Sequence, residues 1–282
     1  MSTEAPSGSR TGAPAGDGGA RYDLTVVIPA YNESARISAP LRRVSDHLAA
    51  HHPASEILVV DDGSTDGTPG VVEALAAALA CPVRVIGSGA NRGKGHAVRQ
   101  GMLAAAGTLV LMTDADLSTP IDQLERLLVA IRAGADVVIG SRKMAGAVIE
   151  ERQPKLREAM GRVFTFLTAI FVVDVSDVTC GFKVFRREAA LAVFSRATLD
   201  DWSFDAEALF LTRRLGFRLV EVPVRWRDTA GTKVRRGRDA VQSAIGLARI
   251  LWNQARGRYA LTTGHPGASA ARRTGASGGS PV

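Results

Sequence analysis

Leu109-Val110-Leu111-Met112-Thr113-Asp114-Ala115-Asp116-Leu117-Ser118 is an apolar run that stops on two carboxylates two residues apart. A strand sends alternate side chains to opposite faces, so acids at i and i+2 at its exit point the same way and can share one hard cation. Asp also favours ordinary turns, so an isolated Asp-X-Asp is a weak signal. Here the pattern recurs. Leu24-Thr25-Val26-Val27-Ile28 breaks at Pro29 into Ala30-Tyr31-Asn32-Glu33, and Ile57-Leu58-Val59-Val60 ends in Asp61-Asp62-Gly63-Ser64-Thr65-Asp66. In an open α/β sheet the ligand crevice lies outside the carboxyl ends of the strands, where acids from several strands converge.

Strands are expected near 24–29, 56–61, 83–87, 108–113 and 136–140, separated by helical stretches such as Val71–Leu79, His96–Ala105 and Leu124–Arg132. That alternation predicts an α/β fold: a doubly wound, mainly parallel sheet flanked by helices. The later half reads as a helix from about Leu156, a strand near Val178–Phe185, a helix over Phe204–Arg214 and a strand at Arg218–Trp226. Asn91-Arg92-Gly93-Lys94-Gly95-His96-Ala97 is a glycine-flanked basic turn opening a helix, suited to a phosphate through backbone N–H groups and Lys94. It lacks the Gly-Lys-Ser/Thr spacing of a Walker loop.

With 282 residues and 46% hydrophobic content, the chain is long enough for one sizeable core. Residues 1–20 and 263–282 are rich in Gly, Ala, Ser and Pro and are expected to be disordered tails. They flank a single domain over 21–240 and an amphipathic helical region over 241–262. No amino-terminal segment has the pattern of a secretory signal. Cys81 and Cys180 are the only cysteines; they form no disulfide framework or metal spacing, and a reducing compartment is expected.

Arg225, Arg227, Lys233, Arg235, Arg236, Arg238, Arg249, Arg256 and Arg258 face only Asp228 and Asp239 in their stretch, which matches the whole formal excess of +7. Nucleic acid is a poor fit, because aromatics are only 5% and no stacking platform is interleaved with the basic residues. An anionic membrane surface fits better. Val241, Ala244, Ile245, Ala248, Leu251 and Trp252 recur at helical spacing beside arginines, a pattern shared by interfacial helices and by core helices with a solvated face. The apolar run Val163–Val173 is too short to span a bilayer and suits either the interface or the core.

Taken together, Val27-Ile28-Pro29-Ala30-Tyr31-Asn32-Glu33, Asp61-Asp62-Gly63-Ser64-Thr65-Asp66, Asn91-Arg92-Gly93-Lys94-Gly95 and Asp114-Ala115-Asp116 resemble the family 2 glycosyltransferases with a GT-A fold. Gly140-Ser141-Arg142, Asp177-Val178-Thr179-Cys180-Gly181-Phe182-Lys183 and Trp202-Ser203-Phe204-Asp205-Ala206-Glu207 narrow the likeness to dolichyl- and polyprenyl-phosphate sugar transferases. Asp114–Pro120 and Gly231-Thr232-Lys233 look more like the dolichyl-phosphate β-glucosyltransferase branch than the mannosyl branch.

The resemblance implies an inverting, metal-dependent transfer of a hexose, glucose from UDP-glucose, to dolichyl or polyprenyl phosphate. The alternatives are a polyprenyl-phosphate mannosyltransferase using GDP-mannose and a non-catalytic protein that binds nucleotide sugar or membrane. A nucleotide-sugar pyrophosphorylase would instead begin with a Gly-rich, Arg-Lys-containing loop after the first strand. By resemblance, Pro29, Tyr31, Glu33, Asp61, Lys94, Asp114, Asp116 and Lys233 bind the nucleotide sugar, and Asp116 with Asp114 holds Mg²⁺ or Mn²⁺. Ser141, Arg142 and Arg157 are placed at the acceptor phosphate, with Asp116, Arg142 and Arg157 as the catalytic set. Ser118 stands where mannosyl members often have Gln, and Gly161 where they often have Ser. Asp205 or Glu207 is expected to orient sugar hydroxyls or to brace the site, His96 to make a local hydrogen bond, and Cys180 to be structural. The enzyme is expected to be peripheral, on the cytoplasmic face of a membrane.

Overall fold

The computed structural model describes residues 21–151, 175–228 and 236–260, with side chains described for all of these except 236–244. Arg157, Gly161, the run 163–173, Lys233 and both expected tails lie outside them.

Seven strands form the main sheet: β1 (Tyr22–Ala30), β2 (Ser55–Asp61), β3 (Val83–Gly87), β4 (Gly107–Met112), β5 (Val137–Ser141), β7 (Lys183–Arg186) and β8 (Leu219–Pro223). Their order is β3-β2-β1-β4-β7-β5-β8, and only β7 runs antiparallel to its neighbours. The central strands are near-continuous Val, Ile and Leu because a parallel sheet is covered on both faces. Val27 and Val60 point into one core with Val98, Met102, Phe185 and Phe194, whereas Val26, Ile28 and Val59 point into the other with Leu41, Leu124 and Phe182.

The helices are α1 (Ser38–His51), α2 (Thr68–Ala76), α3 (Lys94–Ala104), α4 (Leu124–Arg132), α5 (Arg187–Phe194), α6 (Phe204–Arg214) and α7 (Arg236–Ala255). Gly101 lets α3 lie directly on the sheet, since a Cβ there would overlap the side chains of Val27 and Val60.

Two expected strands differ from those observed. The stretch 178–185 forms a strand only from Lys183, because Asp177–Gly181 turns to pack beneath Asp114 and Arg142. The stretch 218–226 divides at Val224, after Pro223, which has no N–H to continue the ladder. The chain then re-enters as β9 (Arg225–Arg227), which pairs in parallel with β6 (Val148–Glu151) in a second, two-stranded sheet. Arg227 donates its N–H to the Ser118 carbonyl at 2.9 Å, which fastens this ribbon to the loop carrying the paired carboxylates.

Candidate active site

The loops after β1 and β2 are laced together. The N–H groups of Asn32, Glu33 and Ser34 donate to Ser64 Oγ, Thr68 Oγ1 and Asp66 Oδ2 at 2.8, 2.8 and 3.0 Å, and the Thr65 N–H donates to Asn32 Oδ1 at 2.8 Å. This lacing fixes Glu33, Tyr31 and Asp61 at one rim. Asp61 accepts the Ser64 N–H through Oδ2, while its buried Oδ1 has no hydrogen-bond partner among the described residues. A buried acceptor without a donor is costly, and an N–H group of a base would satisfy it. Tyr31 is exposed at this rim, whereas Pro29 is buried within β1 opposite Val60 and shapes the strand exit. Arg36, which the sequence reading did not single out, forms an ion pair with Glu33. Its pKa is raised by the Glu33 hydrogen bond despite burial, and the Asp116 charge adds to the rise.

Asp114 and Asp116 leave β4 through a turn in which Leu117 has φ 49° and Ser118 N–H donates to Asp116 Oδ1 at 3.0 Å. Lys94 Nζ reaches Asp114 Oδ1 at 2.5 Å and lies 5.1 Å from the centre of the Trp202 ring. Burial alone would lower the Lys94 pKa, but the charges of Asp114 and then Asp205 outweigh it and raise it. Gly181 sits against the far side of Asp114, where a Cβ would overlap the carboxylate.

The basic turn before α3 is organised differently from expectation. Arg92 and Gly93 donate their N–H groups to the two oxygens of Asp62 at 2.9 Å each, and Gly95 donates to the Asp200 carbonyl at 2.8 Å. The protein's own oxygens therefore fill the place of the anticipated anion, and only the Lys94 side chain points toward the paired carboxylates. Asp62 read as one more acid at a strand end; its role in holding this loop depends on a contact 30 residues away and is invisible locally.

On the other side of Asp114, Arg142 follows β5 and is locked to the fully buried Asp177. Nε and Nη2 donate to the two Asp177 oxygens at 2.7 Å each, and Nη2 also donates to Thr179 Oγ1 at 2.9 Å. Burial opposes the charge on both partners, yet their mutual attraction raises the Arg142 pKa and holds that of Asp177 below the usual carboxylate range. Trp226 of β9 lies under the guanidinium, 5.4 Å from ring centre to Cζ. Arg142 keeps Nη1 without a hydrogen bond among the described residues. Ser141 corrects the expectation: it is fully buried, its hydroxyl bonded to Ser176 Oγ at 2.9 Å, and Ser176 in turn donates to Glu221. Its hydroxyl is engaged within the protein and orders the loop beneath Arg142.

The Trp202–Glu207 block braces the site. Lys183 Nζ, 1% exposed, bonds Asp205 Oδ1 at 2.5 Å. Glu207, fully buried, accepts from the Thr198 N–H and hydroxyl, the Leu199 N–H and the Tyr259 hydroxyl. His96 is buried against Arg99 and Asp200, and burial pushes the Cys180 thiol up to about 11, as their expected structural roles require.

A sequence profile described as Glycosyl transferase family 2 matches residues 25–194. A dolichyl-phosphate beta-glucosyltransferase of Trichomonas vaginalis is 37% identical over 81% of this chain and 72% of its own length. One from Saccharomyces cerevisiae is 33% identical over 80% and 73%. Glucosyl-3-phosphoglycerate synthase from Mycobacterium tuberculosis, in complex with Mn²⁺ and UDP-glucose, superposes with a TM-score of 0.59 at 19% identity, covering 83% of this chain and 79% of the synthase. That neighbour confirms the GT-A fold. Profile and relatives agree, and Lys94 against Asp114 is in keeping with them: the chain is a glycosyltransferase and belongs to family 2.

Proposed function

We propose that the protein transfers glucose from UDP-glucose to dolichyl or polyprenyl phosphate, with inversion and with help from a divalent metal ion. The names of the relatives support the sugar and the acceptor. The observation that carries the acceptor class is the state of Asp205 and Glu207: both are buried and taken by internal partners, so neither is presented as a base. A hydroxyl acceptor needs a base to take its proton. A lipid monophosphate, with a second pKa near ~6, arrives as an anion and needs none.

On the donor side, Asp61 Oδ1 accepts an N–H of the base, Tyr31 and Glu33 flank the nucleoside, and Lys94 faces the diphosphate. The oxygen donors of Asp116 and Asp114 fit Mg²⁺ or Mn²⁺, since the Oδ2 atom of each has no hydrogen bond among the described residues. No third Asp, Glu, His or Cys among the described residues joins them within ligand spacing, so the remaining ligands would come from the donor diphosphate and water. When bound, the ion neutralises charge developing on the departing nucleotide. Arg142 offers Nη1 to the acceptor phosphate, with Arg157 as its proposed partner, and the acceptor oxygen displaces the diphosphate in line.

Gly181→Ala tests the donor geometry. The added methyl displaces the Asp114 carboxylate, and a shift of about 1 Å in a reacting group can cost on the order of 10²-fold in rate. We expect kcat to fall by that order with little change in melting temperature; unchanged kcat would contradict the placement of Asp114. Donor identity is tested by competing UDP-glucose with GDP-mannose, and a preference for GDP-mannose would overturn the glucosyl reading.

No described helix is long and apolar enough to cross a membrane. Helix α7 divides its apolar residues: Leu247 and Ile250 enter the core, whereas Ile245 and Trp252 are 52% and 58% exposed. Arg249 shares the exposed side, and Arg256 stacks over the Trp252 ring at 4.4 Å. This face suits the anionic surface of the membrane that carries the lipid acceptor. Anionic liposomes should retain the protein at low salt and release it as salt rises, and Trp252→Ala should weaken retention. Equal sedimentation with neutral liposomes at every salt concentration would contradict this.

A further inference from the structure

Three of the chain's five histidines fall within six residues, His47-Leu48-Ala49-Ala50-His51-His52. His47 and His51 are one helical turn apart on α1, their rings stacked with centroids 4.5 Å apart. The helix ends at His51, and His52 leaves it in a non-helical conformation, φ −140°. Its ring approaches Glu125 in the first turn of α4. Glu125 Oε1 lies 2.7 Å from His52 Nε2 and 3.5 Å from His47 Nε2. The contact to His47 is not a hydrogen bond: His47 Nε2 is buried and has no partner among the described residues.

A buried ring nitrogen aimed at a carboxylate and a second imidazole is a ligand atom waiting for an acceptor of its lone pair. We propose that His47, His52 and Glu125 bind one borderline divalent transition ion of the Zn²⁺ type, which clips the carboxyl end of α1 to the start of α4. The three ligand atoms lie within 4.8 Å of one another. Ligands about 2.0–2.1 Å from Zn²⁺ in a tetrahedron stand roughly 3.4 Å apart, so the His47–Glu125 spacing already fits and the His52–Glu125 pair opens modestly. Side-chain exposure of 44% at Glu125 and 21% at His52 leaves the fourth position to water. Nitrogen donors select Zn²⁺, Ni²⁺, Cu²⁺ or Co²⁺ over Mg²⁺, which sets this site apart from the oxygen-only pair Asp114 and Asp116. No hydrogen bond or ion pair among the described residues links the two sites.

The test is titration of the untagged full chain with Co²⁺ in excess Mg²⁺, followed by visible absorption, with Zn²⁺ as competitor. One Co²⁺ per chain should give an intense four-coordinate spectrum that Zn²⁺ abolishes, and Zn²⁺ should raise the melting temperature. Loss of an outer-shell partner commonly weakens a metal site by about 10–100-fold. His47→Gln and His52→Gln should therefore each weaken binding by about 100-fold or more. Glu125→Gln, at the more exposed ligand, should also abolish the spectrum in a protein that still melts cooperatively. Asp116→Asn should leave it intact. Absence of a four-coordinate spectrum, or one that survives the His47→Gln/His52→Gln double substitution, would overturn the proposal.

Discussion

Asp116→Asn is expected to reduce kcat by on the order of 10³-fold, roughly 4 kcal/mol of transition-state stabilisation, while leaving the melting temperature unchanged. The asparagine carbonyl can still accept the Ser118 N–H that shapes the turn after β4, so the backbone has no reason to move. What disappears is the charge that holds the metal ion against the leaving diphosphate. Kinetics at saturating UDP-glucose, with and without a chelator, check this. Turnover near the wild-type value, or wild-type turnover that persists in chelator, would contradict a metal role for Asp116.

The second large effect is on stability. Arg142→Ala should destabilise the fold by about 3–5 kcal/mol, because it strands the fully buried Asp177 carboxylate without its counter-charge. The pH dependence should also change sign. In the wild type the folded pKa of Asp177 lies below its unfolded value near ~3.9. Its stabilisation is thus complete above that value and is lost as pH falls through the lower folded pKa. Without the Arg142 side chain, burial is opposed only by the residue-142 N–H and the Lys143 charge; it becomes the largest influence and raises the folded pKa, so the variant should lose stability as pH rises beyond ~4. Denaturant titrations from pH 3 to pH 7 read both slopes. Parallel pH profiles for the two proteins would show that Arg142 is not what holds Asp177 ionised.

Much of the sheet was legible in the sequence because its strands are unbroken apolar runs that end on acids: β1, β2 and β4 needed only that periodicity to be placed. β7 was legible as a strand but not as an antiparallel one, since its direction depends on where α5 carries the chain next. β6 and β9 were missed as a pair because each is three or four residues long and neither has a full alternating pattern. Within the site, Asp61, Asp114 and Asp116 stood out at strand ends, and Lys94 in the glycine-flanked turn that opens α3. The internal partners of Ser141 were not legible, because its hydroxyl meets Ser176 and, through it, Glu221, residues 35 and 80 positions away. Asp62 and Asp177 were hidden for the same reason. Each looks like a surface acid in sequence, yet each is buried against donors brought by another loop.

The central claim is that the acceptor is a phosphate anion which needs no protein base. It is tested most directly by supplying the purified protein with radiolabelled UDP-glucose, a divalent metal ion and either polyprenyl phosphate or the matching polyprenol. Glucose should pass to the phosphate and not to the alcohol, and Glu207→Gln should retain transfer wherever it remains folded. Efficient transfer to polyprenol, or none to polyprenyl phosphate, would contradict it.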